Sequence, residues 1–113
     1  MSIPANLYLI DTSAWARMRV PAVEKRLLAI LHAAAAATCL PLDLEDCRSA
    51  RHLRDAMTIR TRRAQVMIDL PITPAVATRA RDLQLALARR GHHRAPSPTD
   101  LIAAAAAAEY GAT

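Results

Sequence analysis

Short apolar runs alternate with stretches of helical spacing along the chain. The first run, at residues 7–10, ends at Asp11 and predicts a buried strand that leads into a helix starting near Ser13. Similar runs at residues 37–42 and 66–71 predict a second and a third strand. Strands that alternate with helices are typical of βαβ units, so the pattern predicts an α/β fold with a parallel sheet covered on its faces.

Helical spacing fills the segments between these strands. Residues 43–63 are interpreted as helical throughout, because apolar side chains recur at intervals of three and four with arginines around them. Ser97 and Asp100 have the spacing of a capping box, which places the start of the last helix at Ser97 and its end at Gly111. Two further helices are expected, one from just after Pro21 to between His32 and Ala37, the other from Pro74 to Gly91.

The composition fits one domain over residues 1–113 with an aliphatic core. The chain is 53% hydrophobic, yet only 3% of its residues are aromatic, which excludes a disordered class. Cys39 and Cys47 are too few for a disulfide framework and match no zinc-binding spacing, so we expect reduced, buried thiols in a cytoplasmic protein. Residues 1–10 lack the basic start of a signal peptide, and no apolar run reaches the roughly 20 residues that a bilayer requires, so no membrane association is expected.

Arginine dominates the charged residues. Fifteen Lys and Arg side chains against ten Asp and Glu give a net charge of +5, and Lys25 is the only lysine. The guanidinium group matches phosphate geometry, so this excess favours a polyanionic partner, nucleic acid before membrane. An arginine-rich genome accounts for the excess equally well, and the arginines within residues 48–63 fit a solvated helix face as well as a phosphate-binding one.

Three acids stand where a parallel α/β fold gathers ligands. Asp11 follows the first predicted strand, Glu45 follows the second, and Asp100 lies in the first turn of the last helix. Carboxylates brought together at the ends of strands repel one another unless a hard cation neutralises them, which is the usual basis of a Mg²⁺ or Mn²⁺ site. A glycine-rich phosphate loop is excluded, since the chain contains only Gly91 and Gly111.

Each acid also has a structural interpretation. Asp11 is suited to cap the helix that follows the first strand. Asp43 is suited to cap a turn that contains Glu45, and Asp100 is suited to close a capping box. Spacing alone leaves both interpretations open. A phosphatase with Asp11 as its nucleophile is disfavoured, because Ser13 stands where a second Asp is usual.

Three segments carry a family resemblance: YLIDTSAW at residues 8–15, LDLE at residues 42–45, and PSPTDLIAA at residues 96–104. In this order they resemble the PIN-domain ribonucleases, and specifically the VapC toxins of bacterial toxin–antitoxin pairs. The similarity covers essentially the whole chain. In that family an acid follows the first strand, a Glu opens the helix after the second, and an Asp precedes an Ile-Ala-Ala helix.

The resemblance implies a PIN-like three-layer α/β/α domain with the activity of a Mg²⁺- or Mn²⁺-dependent endoribonuclease. Asp11, Glu45 and Asp100 are then the catalytic metal ligands, and Ser13 and Ser97 are supporting residues that hold water or a ligand carboxylate. The resemblance also implies an RNA substrate, a cognate VapB-like antitoxin and a homodimer.

The loop before the last helix offers candidate RNA contacts in His92, His93 and Arg94, although such residues are often only solvated. Family members usually continue from a G-x-T sequence such as residues 111–113 into a further strand and a segment that supplies a fourth acid. The resemblance therefore implies a domain that is incomplete at its C-terminus and a first strand with an open edge. The alternative function is a catalytically inactive PIN-like module that binds antitoxin or RNA without turnover.

Overall fold

The computed structural model describes residues 6–113. Residues 1–5, which form half of the segment examined for a signal peptide, lie outside the described residues. The elements follow one another in the order β1 (Tyr8–Leu9), α1 (Thr12–Ala16), α2 (Pro21–His32), β2 (Ala36–Thr38), α3 (Leu40–Cys47), α4 (Leu53–Val66), β3 (Ile68–Asp69), α5 (Pro74–Arg89) and α6 (Pro98–Tyr110). This alternation confirms the α/β class.

The strands form a parallel sheet in the order β1-β2-β3. Tyr8 lies opposite Ala36 in the ladder between β1 and β2. On the other side of β1, the N–H of Thr113 donates to the Leu7 carbonyl at 2.8 Å, and the N–H of Leu9 donates to the Thr113 carbonyl at 3.0 Å. The prediction of an open edge on the first strand is therefore wrong at residues 7–9, because Thr113 already pairs with it.

Helices cover both faces of the sheet. Successive side chains of a strand point to opposite faces, so Leu7 and Ala37 pack with residues of α3, α5 and α6 in one cluster. Ile10 and Ala36 pack with residues of α1 and α2 in a second cluster on the other face. The prediction of a three-layer α/β/α domain is confirmed, and the core is aliphatic as expected.

The boundaries of the second strand differ from the prediction. The strand was expected over residues 37–42, but it ends at Thr38, because Leu40 and Pro41 begin α3. Proline is favoured in the first turn of a helix, where no N–H is needed. Similarly, α4 runs on to Val66 and shortens the third strand.

The single helical region expected over residues 43–63 is also wrong, because residues 48–52 separate α3 from α4. The Ser49 hydroxyl donates to the Asp46 carbonyl at 2.8 Å and satisfies the end of α3. The His52 side chain accepts from the Asp55 N–H and caps α4. Two local caps thus end one helix and begin the next.

Among residues 6–113, none of the helices combines the length and the apolar character needed to span a bilayer.

Candidate active site

Asp11 stands where β1 ends and α1 begins. It occupies the N-cap position of α1, but its carboxylate makes no side-chain capping bond to that helix. Instead the Ser13 hydroxyl donates to Asp11 Oδ2 at 3.2 Å. Asp11 is exposed, and no salt bridge of residues 6–113 involves it. Its charge is therefore open to a ligand, with Ser13 limiting how the carboxylate turns.

Glu45 lies in α3, the helix that follows β2. Its side chain is exposed and takes part in no salt bridge within the described chain. The N-cap of α3 is Cys39, which makes Asp43 the fourth residue of the helix. The interpretation of Asp43 as a cap is therefore wrong, because the helix begins earlier than the sequence pattern indicated.

Asp100 forms the predicted capping box at the start of α6. The Asp100 N–H donates to Ser97 Oγ at 3.1 Å, and the Ser97 N–H donates to Asp100 Oδ2 at 3.1 Å. The capping interpretation is confirmed, and Ser97 holds Asp100 in place. Oδ1 of Asp100 accepts no hydrogen bond from residues 6–113, so one oxygen stays free for a ligand while the other serves the helix.

The elements that carry these three acids are neighbours. The parallel pairing of β1 with β2 brings Asp11 and α3 to the same edge of the sheet, and α3 packs against both α1 and α6. Carboxylate oxygens are the donors that a hard divalent cation prefers, so the donor set fits Mg²⁺ or Mn²⁺. Within residues 6–113, however, no three His, Cys, Asp or Glu side chains lie close enough to hold one ion. The roles of Asp11, Glu45 and Asp100 stay a prediction.

The loop between α5 and α6 is exposed at His92, His93 and Arg94. The His92 N–H donates to the Leu87 carbonyl at 2.8 Å and ties the start of this loop to α5. The loop leads directly into the capped end of α6 that carries Asp100. Its proximity to RNA stays a prediction.

A buried arginine lies next to α3, and the sequence pattern did not predict its burial. Arg63 belongs to the arginine-rich segment that fitted a solvated face, yet it is only 6% exposed. Its guanidinium bonds Asp43 and Asp46 of α3 and Thr38 of β2. These partners are 17 to 25 residues away in sequence, so no local pattern could have revealed them.

Asp69 adds negative charge beside this cluster. Partial burial, and then the neighbouring Asp43 carboxylate, raise the pKa of the Asp69 carboxyl. Burial also raises the pKa of the Cys39 thiol, with Asp43 and Asp69 adding to the effect. Both cysteines are free thiols, and Cys39 is buried as expected, whereas Cys47 is only half-buried.

A parallel sheet between helical layers, with acids along its carboxyl edge, defines the class of α/β domain to which PIN domains belong. No protein-family model matches the chain. Ribonuclease VapC21 from Mycobacterium tuberculosis, in strain CDC 1551 / Oshkosh and in strain ATCC 25618 / H37Rv, is 38% identical to it over 104 residues. The match covers 92% of this chain and 75% of each relative. The chain belongs to the VapC-type PIN ribonuclease family.

Proposed function

We propose that this protein is the toxin component of a type II toxin–antitoxin pair and a metal-dependent endoribonuclease. The observation that carries the proposal is 38% identity over 92% of the chain to proteins named as ribonucleases. The placement of exposed carboxylates on β1-α1, α3 and α6 supports it. In this proposal the enzyme hydrolyses RNA phosphodiester bonds in the cytoplasm, where both thiols stay reduced.

Asp11, Glu45 and Asp100 are proposed to hold Mg²⁺ or Mn²⁺. When bound, such an ion lowers the pKa of a coordinated water and stabilises charge on the phosphoryl oxygens. Ser13 orients the Asp11 carboxylate through its hydroxyl, and Ser97 orients the Asp100 carboxylate through the capping box. Both serines therefore reduce the freedom of the side chains that would bind the ion.

RNA is proposed to bind mainly through its backbone. The net charge of +5 is carried almost entirely by arginine, which pairs with phosphate through two parallel hydrogen bonds. Aromatic residues make up only 3% of the chain, so stacking of bases on aromatic platforms contributes little. Arg94, His92 and His93 are the proposed contacts nearest to Asp100 in sequence.

A VapB-like antitoxin and a second copy of the chain are the proposed protein partners. An apolar groove of about 780 Å³ between α3 and α4 supports contact with protein. Several large side chains of this groove are more than half exposed, namely Leu40, Leu44, Leu53 and Met57. Light scattering on the purified protein tests the homodimer, and titration with the antitoxin tests the complex.

The enzymatic proposal is tested by RNA cleavage with Mg²⁺, with Mn²⁺ and with EDTA. We expect cleavage to require the metal and to disappear in Asp11→Asn and Asp100→Asn. Glu24→Gln is the matched control, because Glu24 is an exposed acid of α2 without a salt bridge within residues 6–113 and is not one of the proposed ligands. Cleavage that persists in EDTA would overturn the proposal.

Calorimetric titration with Mn²⁺ separates the enzyme from a binding module. A working site binds Mn²⁺, and the binding is lost in Glu45→Gln. Antitoxin or RNA binding without Mn²⁺ binding and without turnover would identify the inactive module instead.

A further inference from the structure

Arg63 joins three points of the structure through one buried guanidinium. Nε donates to Asp43 Oδ1 at 2.9 Å, and Nη1 donates to Asp46 Oδ2 at 2.7 Å. Nη2 donates to Thr38 Oγ1 at 2.9 Å, and Thr38 Oγ1 in turn donates to Asp43 Oδ1 at 2.7 Å. The last turn of α4 is thereby tied to the end of β2 and to two successive turns of α3.

Few buried apolar side chains of α3 restrain its rotation. The helix contains eight residues, and Leu42 is its one buried side chain. Leu40 and Leu44 are 55% and 60% exposed. Pro41 and Cys47 are only half-buried, so the apolar packing of α3 is centred on the Leu42 side and restrains rotation about the helix axis less than a second attachment does. The buried arginine supplies the second point of attachment.

The side chains of α3 lie on different sides of the helix axis. At about 100° per residue, Leu42 and Glu45 are about 60° apart and belong to adjacent turns of one side. Glu45 is about 130° from the centre of the pair formed by Asp43 and Asp46. A rotation of α3 that released the arginine would therefore move Glu45 relative to α1 and α6, which carry the other two acids.

We propose that Arg63 is a positioning residue that sets the rotation of α3 and so the place of Glu45 in the metal site. This inference rests on the proposed function. Arg63 has no role as a ligand, because it is a cation and its donors face Asp43, Asp46 and Thr38. It acts on the metal only through Glu45.

Arg63→Lys tests the proposal, because lysine keeps the charge but lacks the planar fork that reaches three acceptors. We expect the half-saturating Mn²⁺ concentration, measured by calorimetry, to rise about tenfold, as for the loss of other groups that orient metal ligands. In RNA cleavage, kcat at limiting Mn²⁺ falls and recovers at saturating Mn²⁺, while KM for RNA stays the same. Arg62→Lys is the matched control on the exposed face of α4 and leaves the Mn²⁺ midpoint unchanged.

Urea unfolding without metal separates loss of folding from loss of position. A reversibly unfolded fraction also raises the apparent midpoint, so a raised midpoint reports a misplaced Glu45 in a variant that is almost entirely folded without metal. Asp46→Asn is the second variant, for use if Arg63→Lys does not fold. It removes one ion pair and leaves the bonds to Asp43 and Thr38, so a smaller rise in midpoint is expected.

An unchanged Mn²⁺ midpoint in a folded Arg63→Lys or Asp46→Asn protein overturns the positioning role and leaves the ribonuclease proposal intact. If the parent protein binds no Mn²⁺ and cleaves no RNA, the proposed function itself is wrong, and the positioning role is rejected with it.

Discussion

The acids of α3 and of the elements packed against it fall into two sets, which differ in what neutralises them. Asp43 and Asp46 face a buried arginine, whereas Glu45 of the same eight-residue helix is exposed and takes part in no salt bridge of the described chain. Carboxylates paired to an internal cation have little affinity left for another ion. The paired acids therefore serve the fold, while the unpaired ones keep an uncompensated charge.

Replacing an unpaired acid gives the largest effect, and it falls on activity alone. For Glu45→Gln we expect RNA cleavage to fall by at least about 100-fold, because loss of a ligand exceeds loss of an orienting group. The free energy of unfolding stays within about 0.5 kcal/mol, since the side chain is exposed. Cleavage kinetics measure the activity, and urea unfolding measures the stability. A stability loss as large as that of the paired acids would remove the distinction.

Replacing both paired acids has the opposite profile. Asp43→Asn combined with Asp46→Asn leaves Arg63 buried without a counter-charge, so the free energy of unfolding falls by about 3 kcal/mol. Urea unfolding measures the loss, and Asp82→Asn, an exposed acid of α5 outside the salt bridges of residues 6–113, is the control. A double variant as stable as the parent would show that Arg63 does not need its partners.

Asp100 shares features of both sets. One of its carboxylate oxygens belongs to a helix cap, and the other is free. Ser97→Ala removes the capping hydroxyl, and the free energy of unfolding should fall by about 1 kcal/mol. Ser97→Asn retains a capping acceptor and should restore most of this stability. Thermal unfolding compares the three proteins. Equal stability of parent and Ser97→Ala would mean that the capping box contributes nothing.

The smallest effects come from pH, and they have opposite signs in two acids. Burial and the Asp43 carboxylate raise the pKa of Asp69. The loss of stability therefore begins as the pH rises above the ordinary value of 3.8 and is complete above the raised pKa, where Asp69 is ionised in the folded protein. The Arg51 N–H lowers the pKa of Asp55, so its carboxylate adds stability above 3.8 that is lost as the pH falls through the lowered pKa.

Asp69→Asn should therefore be more stable than the parent at neutral pH, and Asp55→Asn should be less stable. Both differences should vanish well below pH 3.8, where each carboxyl is protonated in the folded and unfolded states. Urea unfolding across this range measures them. Differences of the same sign in both variants would contradict the assignment.

Local patterns were sufficient for the elements but not for all of their ends. The Pro74 start of α5 and the capping box at Ser97 were both predictable, because each depends on residues within one helical turn. The break at residues 48–52 was not, since the apolar spacing continues through it. Asp11 and Glu45 could be singled out by their places after strands, and Asp100 by its place in the first turn of the last helix. Spacing does not decide whether the three reach one ion, and their role as a metal site stays a prediction.

The sequence by itself determined the alternation of strands and helices, the aliphatic core and the α/β class, because hydrophobic periodicity and caps act over a few residues. Only the tertiary structure decided which acids are neutralised. Arg63 reaches Asp43 and Asp46 across 20 and 17 residues, and its neighbours in sequence are exposed arginines of the same kind. Arg63 contributes to the fold because it is buried beside its partners, and which side chains are buried depends on how the whole chain packs.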